Sequence, residues 1–221
     1  MPTCPKPLRP ACTHPAPTMA RILVVLAHPD LQASRANRAV QAALAPLAGP
    51  GGPVELLDLY ARCPDYLIDV PAEQARLAEA ELIVWAFPVQ WYSVPALLKL
   101  WIDEVLAFGW AYGPGGQALR GKALWLLPTT GGSAASYQPA GHNRHGIEVF
   151  LTPWEQTARL CGLRYLPPLA LHDAHALDAS ALAAHGAQVR DMLARWPAVP
   201  AWQGLLDDDC VDCAVPAEAY C

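Results

Sequence analysis

Short, unbroken apolar runs alternate along this chain with longer stretches in which apolar positions recur every third or fourth residue. That alternation predicts βαβ units wound around a parallel sheet. Residues 22–27 (ILVVLA) contain no polar position, as a strand covered on both faces requires. Residues 34–47 follow as a helix with Ser34 at its cap. Residues 54–59 predict a second strand, and 71–80 a helix opened by a proline in its first turn. Residues 82–87 (LIVWAF) predict the third strand and 95–108 the next helix. A fourth strand at 124–128 precedes a helix at 147–161 that Gly162 ends. A fifth strand at 163–171 and a last helix at 178–195 complete a five-stranded, doubly wound α/β sheet.

Size changes this picture little, since 221 residues suit one domain with a sizeable core. Although 53% of residues are hydrophobic, Pro, Gly, Arg and Asp interrupt every apolar stretch well short of the ~18 residues that a membrane span needs. The net charge of −5 comes without any Lys/Arg-rich run, which argues against nucleic acid as a partner. Seven scattered cysteines do not form a disulfide framework, so a reducing, cytoplasmic location is expected. Residues 1–20 are proline-rich with no apolar h-region, and read as a disordered tail and not a secretory signal; Met19, just before the first strand, is an alternative start. Residues 21–196 then form the domain and 197–221 a second tail, whose CVDC (Cys210 to Cys213) could bind zinc or cycle as a disulfide, although one CxxC without a second ligand pair is a thin signal and a disordered tail is expected.

Doubly wound sheets bind ligands beyond the carboxyl ends of their strands, near the switch point, so the loops after strands one, three and four carry the candidate site. After strand one, AHPDLQASRAN places Ser34, Arg35, Ala36 and Asn37 where the amides of a first helical turn can hold a phosphate. Ser34 would equally serve as a plain helix cap. After strand three, Trp91 and Tyr92 stand in a proline-bounded loop where a planar ring system can stack, or where they simply pack the loop. After strand four, Gly131 and Gly132 let backbone amides approach a ligand, and Tyr137 and His142 follow.

These segments, AHPDLQASRAN, VQWYSVPALLKLWIDEVLAFGWAYG and TTGG with a following Tyr and His, resemble the NAD(P)H:quinone oxidoreductases of the DT-diaphorase type. CPDYLIDVPAEQARLAEAELIVWAFPVQWYSVPALLKLWIDEV and CGLRYLPPLALH are similar to the flavoprotein ancillary subunits of Kef-type glutathione-gated potassium efflux systems. The likeness runs over residues 21–196. It implies a flavodoxin-like fold with strand order 2-1-3-4-5, a homodimer with active sites at the subunit interface, and two-electron, ping-pong hydride transfer from NADH or NADPH to quinones through bound flavin. Carried over by position, His28 and Ser34, Arg35, Ala36 and Asn37 match the phosphate side of the cofactor site. Val89, Gln90, Trp91 and Tyr92, with Thr129, Thr130, Gly131 and Gly132, match the loops around the isoalloxazine ring. Tyr137 and His142 match the pair that stabilises charge on the reduced flavin, with His145 an alternative to His142. The chain does not match the long carboxyl-terminal extension of the mammalian enzymes, so FMN is expected in preference to FAD.

Two other classes remain open. AHPD resembles the metal motif of PIG-L-type zinc deacetylases, but Leu31 stands where their second aspartate belongs; His142 and His145 have a ligand-like spacing. The other is a regulatory subunit that activates a potassium efflux channel from the inner face of the membrane, with reductase activity secondary.

Overall fold

The computed structural model describes residues 22–49 and 51–206. The tail at 1–20 and the Cys210 and Cys213 pair lie outside the described residues. Five parallel strands, β1 (Ile22–Leu26), β2 (Val54–Asp58), β3 (Leu82–Pro88), β4 (Ala123–Thr129) and β5 (Arg164–Tyr165), form one sheet in the order β2-β1-β3-β4-β5. The helices are α1 (Arg35–Leu44), α2 (Leu59–Arg62), α3 (Val70–Glu79), α4 (Ala96–Val105), α5 (Ile147–Leu160), α6 (Ala179–Ala194) and α7 (Gln203–Leu206). This is the flavodoxin-like arrangement expected from the sequence.

Alternation along the strands divides the core in two. Leu23, Val25, Ile83, Trp85, Leu124 and Leu126 face a layer built from α3, α4 and α5. Ile22, Val24, Leu82, Val84, Trp125 and Leu127 face the side of α1 and α6. Strands buried on both faces have no polar position to spare, which is why the sequence pattern located β1, β3 and β4 within a residue or so. On the first side, Trp85 meets Trp101 and Trp154 edge to face at 6.4 and 6.2 Å. Glu73 of α3, only 1% exposed, accepts from Trp101 Nε1 at 3.2 Å, Arg62 Nε at 3.3 Å and Arg76 Nη1 at 3.1 Å. A buried carboxylate is tolerated because three hydrogen bonds, two of them from guanidinium cations, compensate its desolvation. On the other side, α1 and α6 approach closely: a Cβ built on Gly186 would lie 2.7 Å from Ala39 O.

Three expectations are corrected. The first helix is α-helical only to Leu44, and a 3-10 turn (Ala45–Leu47) carrying Pro46 completes it. The fifth strand, expected over 163–171, pairs as a ladder only at Arg164–Tyr165 and again at an isolated bridge between Thr129 and Leu171. Pro167 and Pro168 interrupt it, because proline supplies no amide to a ladder. The segment nonetheless follows β4, with Leu166 N donating to Leu124 O and Leu169 N to Leu126 O. Lastly, packing continues past residue 196: Trp202 is 1% exposed and lies 4.9 Å from the ring of Trp125 and 6.1 Å from that of Trp196. Residues 197–206 are thus part of the folded body, not of a tail.

His185, buried in α6, is held below its ordinary pKa by desolvation. The unfolded chain binds a proton near the ordinary histidine value of about 6.5, and the folded chain resists it. Stability is therefore fully present above pH ~6.5 and declines as pH falls below it toward the folded value. Melting temperatures measured from pH 7.5 to 5 should show a smaller acid-side decline in His185→Gln than in the parent.

Candidate functional site

The switch point falls between β1 and β3, and the loops leaving β1, β3 and β4 meet beyond their carboxyl ends. The loop after β1 is tied by short local bonds. Asp30 N donates to His28 Nδ1 at 3.1 Å, and Ala33 N donates to Asp30 Oδ1 at 3.0 Å. A ring that accepts at Nδ1 carries its proton on Nε2, and burial, reinforced by His175 nearby, lowers the His28 pKa, so His28 is neutral with Nε2–H as a donor. Ser34 caps α1: its Oγ accepts from Asn37 N at 3.2 Å and from Asn37 Nδ2 at 3.1 Å. With both acceptor positions used, the Ser34 hydroxyl proton is left to donate outward. The first-turn amides of Arg35 and Ala36 meet no acceptor among the described residues, and no acidic side chain occupies that turn. The start of α1 is thus a donor-only surface.

After β3 the chain makes a tight reversal. Gln90 and Ser93 exchange both main-chain hydrogen bonds, at 2.9 and 3.0 Å, around Trp91 and Tyr92. Both central residues have positive φ, 48° and 62°, the requirement of a type I′ turn that Asn-Gly normally meets. Bulky side chains there store strain, about 1 to 3 kcal/mol each. Trp91 is 95% exposed, and Tyr92 stacks on Phe150 of α5 with centroids 5.2 Å apart. Val89 N donates to Thr129 O at 2.8 Å, locking this turn to the loop after β4.

In that next loop Thr129 and Thr130 are buried, and Gly131 passes so close to His175 that a Cβ would lie 3.2 Å from its ring. Arg35 Nη1 donates to His175 O at 3.2 Å, joining α1 to the segment after β5. Tyr137 is buried between Phe150 (5.8 Å, edge to face) and His172 (5.3 Å). Burial, reinforced by Tyr92, raises its pKa, so the phenol keeps its proton at neutral pH. Its hydroxyl has no hydrogen-bond partner among the described residues. Both histidines are exposed, but His145 meets Phe150 edge-on at 6.2 Å, whereas His142 meets no ring among the described residues. Of the two histidines, His145 joins the aromatic cluster around Tyr137.

The family described as having a flavodoxin-like fold matches residues 20–193. The chain belongs to this flavodoxin-like family. Within it, the chain is 45% identical over 175 residues to the glutathione-regulated potassium-efflux system ancillary protein KefF of Klebsiella pneumoniae, a match covering 79% of this chain and 96% of that one. The general stress protein 14 of Treponema denticola, solved in complex with FMN, superposes with a TM-score of 0.69 at 32% identity, covering 84% of this chain and 99% of the other. An NADPH-quinone reductase from P. pentosaceus gives a TM-score of 0.68 at 29% identity, over 77% and 96% of the two chains. In this flavodoxin-like chain no three His, Cys, Asp or Glu residues gather as metal ligands among the described residues. None of its described helices is long and apolar enough to cross a membrane.

Three residues at this flavodoxin-like site stand outside the sequence-derived set. Phe150 carries both Tyr92 and Tyr137, and His172 and His175 contact Tyr137 and Gly131 respectively. The available signal was position: LHDAH follows the fifth strand and so emerges at the same edge.

Proposed function

We propose that this protein binds FMN across the carboxyl ends of β1, β3 and β4 and acts as an NAD(P)H:quinone oxidoreductase. The observation that carries this reading is the buried, protonated Tyr137, whose hydroxyl is unpartnered among the described residues and whose ring lies where the loops after β3 and β4 meet. When bound, FMN supplies a two-electron carrier that takes hydride from a nicotinamide and passes it to a quinone. Its phosphate would be held by the Arg35 and Ala36 amides and the Ser34 hydroxyl, with Asn37 orienting Ser34 and His28 adding an Nε2–H donor. Val89, Gln90, Trp91 and Tyr92 would hold the ring on one side, and Thr129, Thr130, Gly131 and Gly132 on the other through their main chain. Tyr137 donates a hydrogen bond to charge that develops beside it, and His142 or His145 supplies a proton from the solvent side. NADH and NADPH are both candidate donors.

The exposed apolar side chains Trp91, Phe108 and Val149 support a homodimer in which a second copy covers apolar surface. A second role, as a regulatory subunit of a Kef-type potassium efflux channel at the cytoplasmic membrane face, is favoured by the KefF likeness. Potassium efflux through a co-expressed channel, measured with and without this protein, tests that role; equal efflux rejects it.

For the reductase, the protein is mixed with FMN, desalted, and treated anaerobically with NADH or NADPH and then a quinone. A retained flavin band that bleaches and returns is the expected result. Absence of both retained flavin and turnover rejects the reading. Tyr137→Phe should slow flavin reduction roughly tenfold while leaving FMN affinity unchanged; unaltered stopped-flow rates would remove Tyr137 from the chemistry.

A further inference from the structure

The loop after β4 and the segment after β5 are laced main chain to main chain. Thr130 N donates to Leu171 O at 2.8 Å, Ala174 N to Thr130 O at 3.0 Å and Asp173 N to Gly132 O at 3.1 Å. His172 is carried on this lacing. The Thr130 hydroxyl, in a residue only 2% exposed, lies 2.8 Å from Gly132 O and 3.0 Å from His172 Nδ1. A hydroxyl has a single proton, and a carbonyl has none to give. The 2.8 Å contact between two oxygens therefore consumes the threonine proton. His172 Nδ1 must then carry a hydrogen of its own and donate it to Thr130. This fixes the tautomer and the ring plane. That ring lies against Tyr137 at 5.3 Å with a tilt of 43°. The Tyr137 hydroxyl makes no hydrogen bond among the described residues, so the placement of the ring depends on the rings packed on it, His172 and Phe150.

We propose that His172 is a positioning residue: tethered by Nδ1–H to Thr130, it holds the Tyr137 ring so that the free hydroxyl addresses the bound substrate. This rests on the reading of the site as a flavin-reducing centre and names the side chain that aims its proton donor. Thr130 belongs to the tether, so its side chain has a structural task distinct from its main-chain contact with the cofactor.

The test uses the full chain labelled with nitrogen-15 and with carbon-13 tyrosine. Long-range proton–nitrogen correlation should identify His172 as the Nδ1–H tautomer, and an Nε2–H tautomer would overturn the tether. His172→Leu should move the Tyr137 ring signals, slow flavin reduction by NADPH about tenfold and leave the Kd for FMN within about twofold, as expected when a reacting group is misplaced and not removed. His172→Asn, whose amide nitrogen can occupy the Nδ1 place, should return the rate to within about threefold of the parent. Unmoved Tyr137 signals with an unchanged rate in His172→Leu would overturn the proposal. So would an Asn variant as slow as the Leu one, which would give His172 a proton-transfer role. If the parent protein neither retains nor reduces FMN, the flavin reading falls by itself, and the tautomer and the Tyr137 signals still decide the tether.

Discussion

Replacing Trp91 and Tyr92 together by Asn and Gly should make the protein more stable and a poorer flavin binder. Both residues sit at positive φ in a two-residue reversal, and Asn-Gly adopts that backbone without strain. Relief toward the lower end of the range of about 1 to 3 kcal/mol at each position, less about 1 kcal/mol for the lost Tyr92–Phe150 stack, leaves a net gain of roughly 2 kcal/mol. For a domain of this size that gain raises the melting temperature by about 4 to 8 °C. Loss of two aromatic faces from the ring site should weaken FMN binding by about 2 kcal/mol, close to thirtyfold. Calorimetric melts of the flavin-free protein and an FMN titration read the two effects separately. A lower melting temperature would mean that the turn stores no strain; unchanged affinity would mean that it is not a wall of the flavin site.

Trp101→Ala should have the largest effect on folding. The side chain is fully buried on α4, packs edge to face against Trp85 and gives its indole proton to Glu73. Truncating a buried tryptophan costs about 3 to 5 kcal/mol through lost contact and the cavity left behind. Glu73 loses one partner as well, which adds about 1 kcal/mol when a buried acceptor goes unsatisfied. Against a total stability of roughly 5 to 15 kcal/mol, a loss near 5 brings the chain close to its threshold. Urea unfolding should show it, and Trp101→Phe, which keeps most of the volume but not the indole N–H, should fall between the two. A loss under about 1 kcal/mol in the alanine variant would contradict the packing of this layer.

Much of this arrangement is legible in the sequence because the central strands are covered on both faces. ILVVL and LIVWAF can do little else than run through the middle of a sheet, and Ser34 and Gly162 mark helix ends by their own chemistry. The fifth strand is less legible because leucines and prolines alternate there, and the apolar pattern does not reveal which amides are missing. Trp202 was unreadable for another reason: a lone tryptophan after a proline-rich stretch has no periodicity, and it is the rings of Trp125 and Trp196 that give it a place. The loops proposed to hold the cofactor were chosen from where strands end. The turn geometry of Trp91 and Tyr92 was not legible, since positive φ is signalled by Asn or Gly and these are aromatic. The role of His172 depends on a threonine forty-two positions away that has already spent its proton, a relation no local spacing encodes.

Pro167 and Pro168 shape the outer margin of the sheet in a further respect. An edge strand with a full row of free amides is a template on which another chain can add a strand, and thereby seed aggregation. Here the margin beyond β4 is only two residues of regular ladder followed by two residues with no amide to offer. Growth of the sheet from molecule to molecule is blocked on that side, which leaves β2 as the one edge of the sheet that carries a full regular ladder.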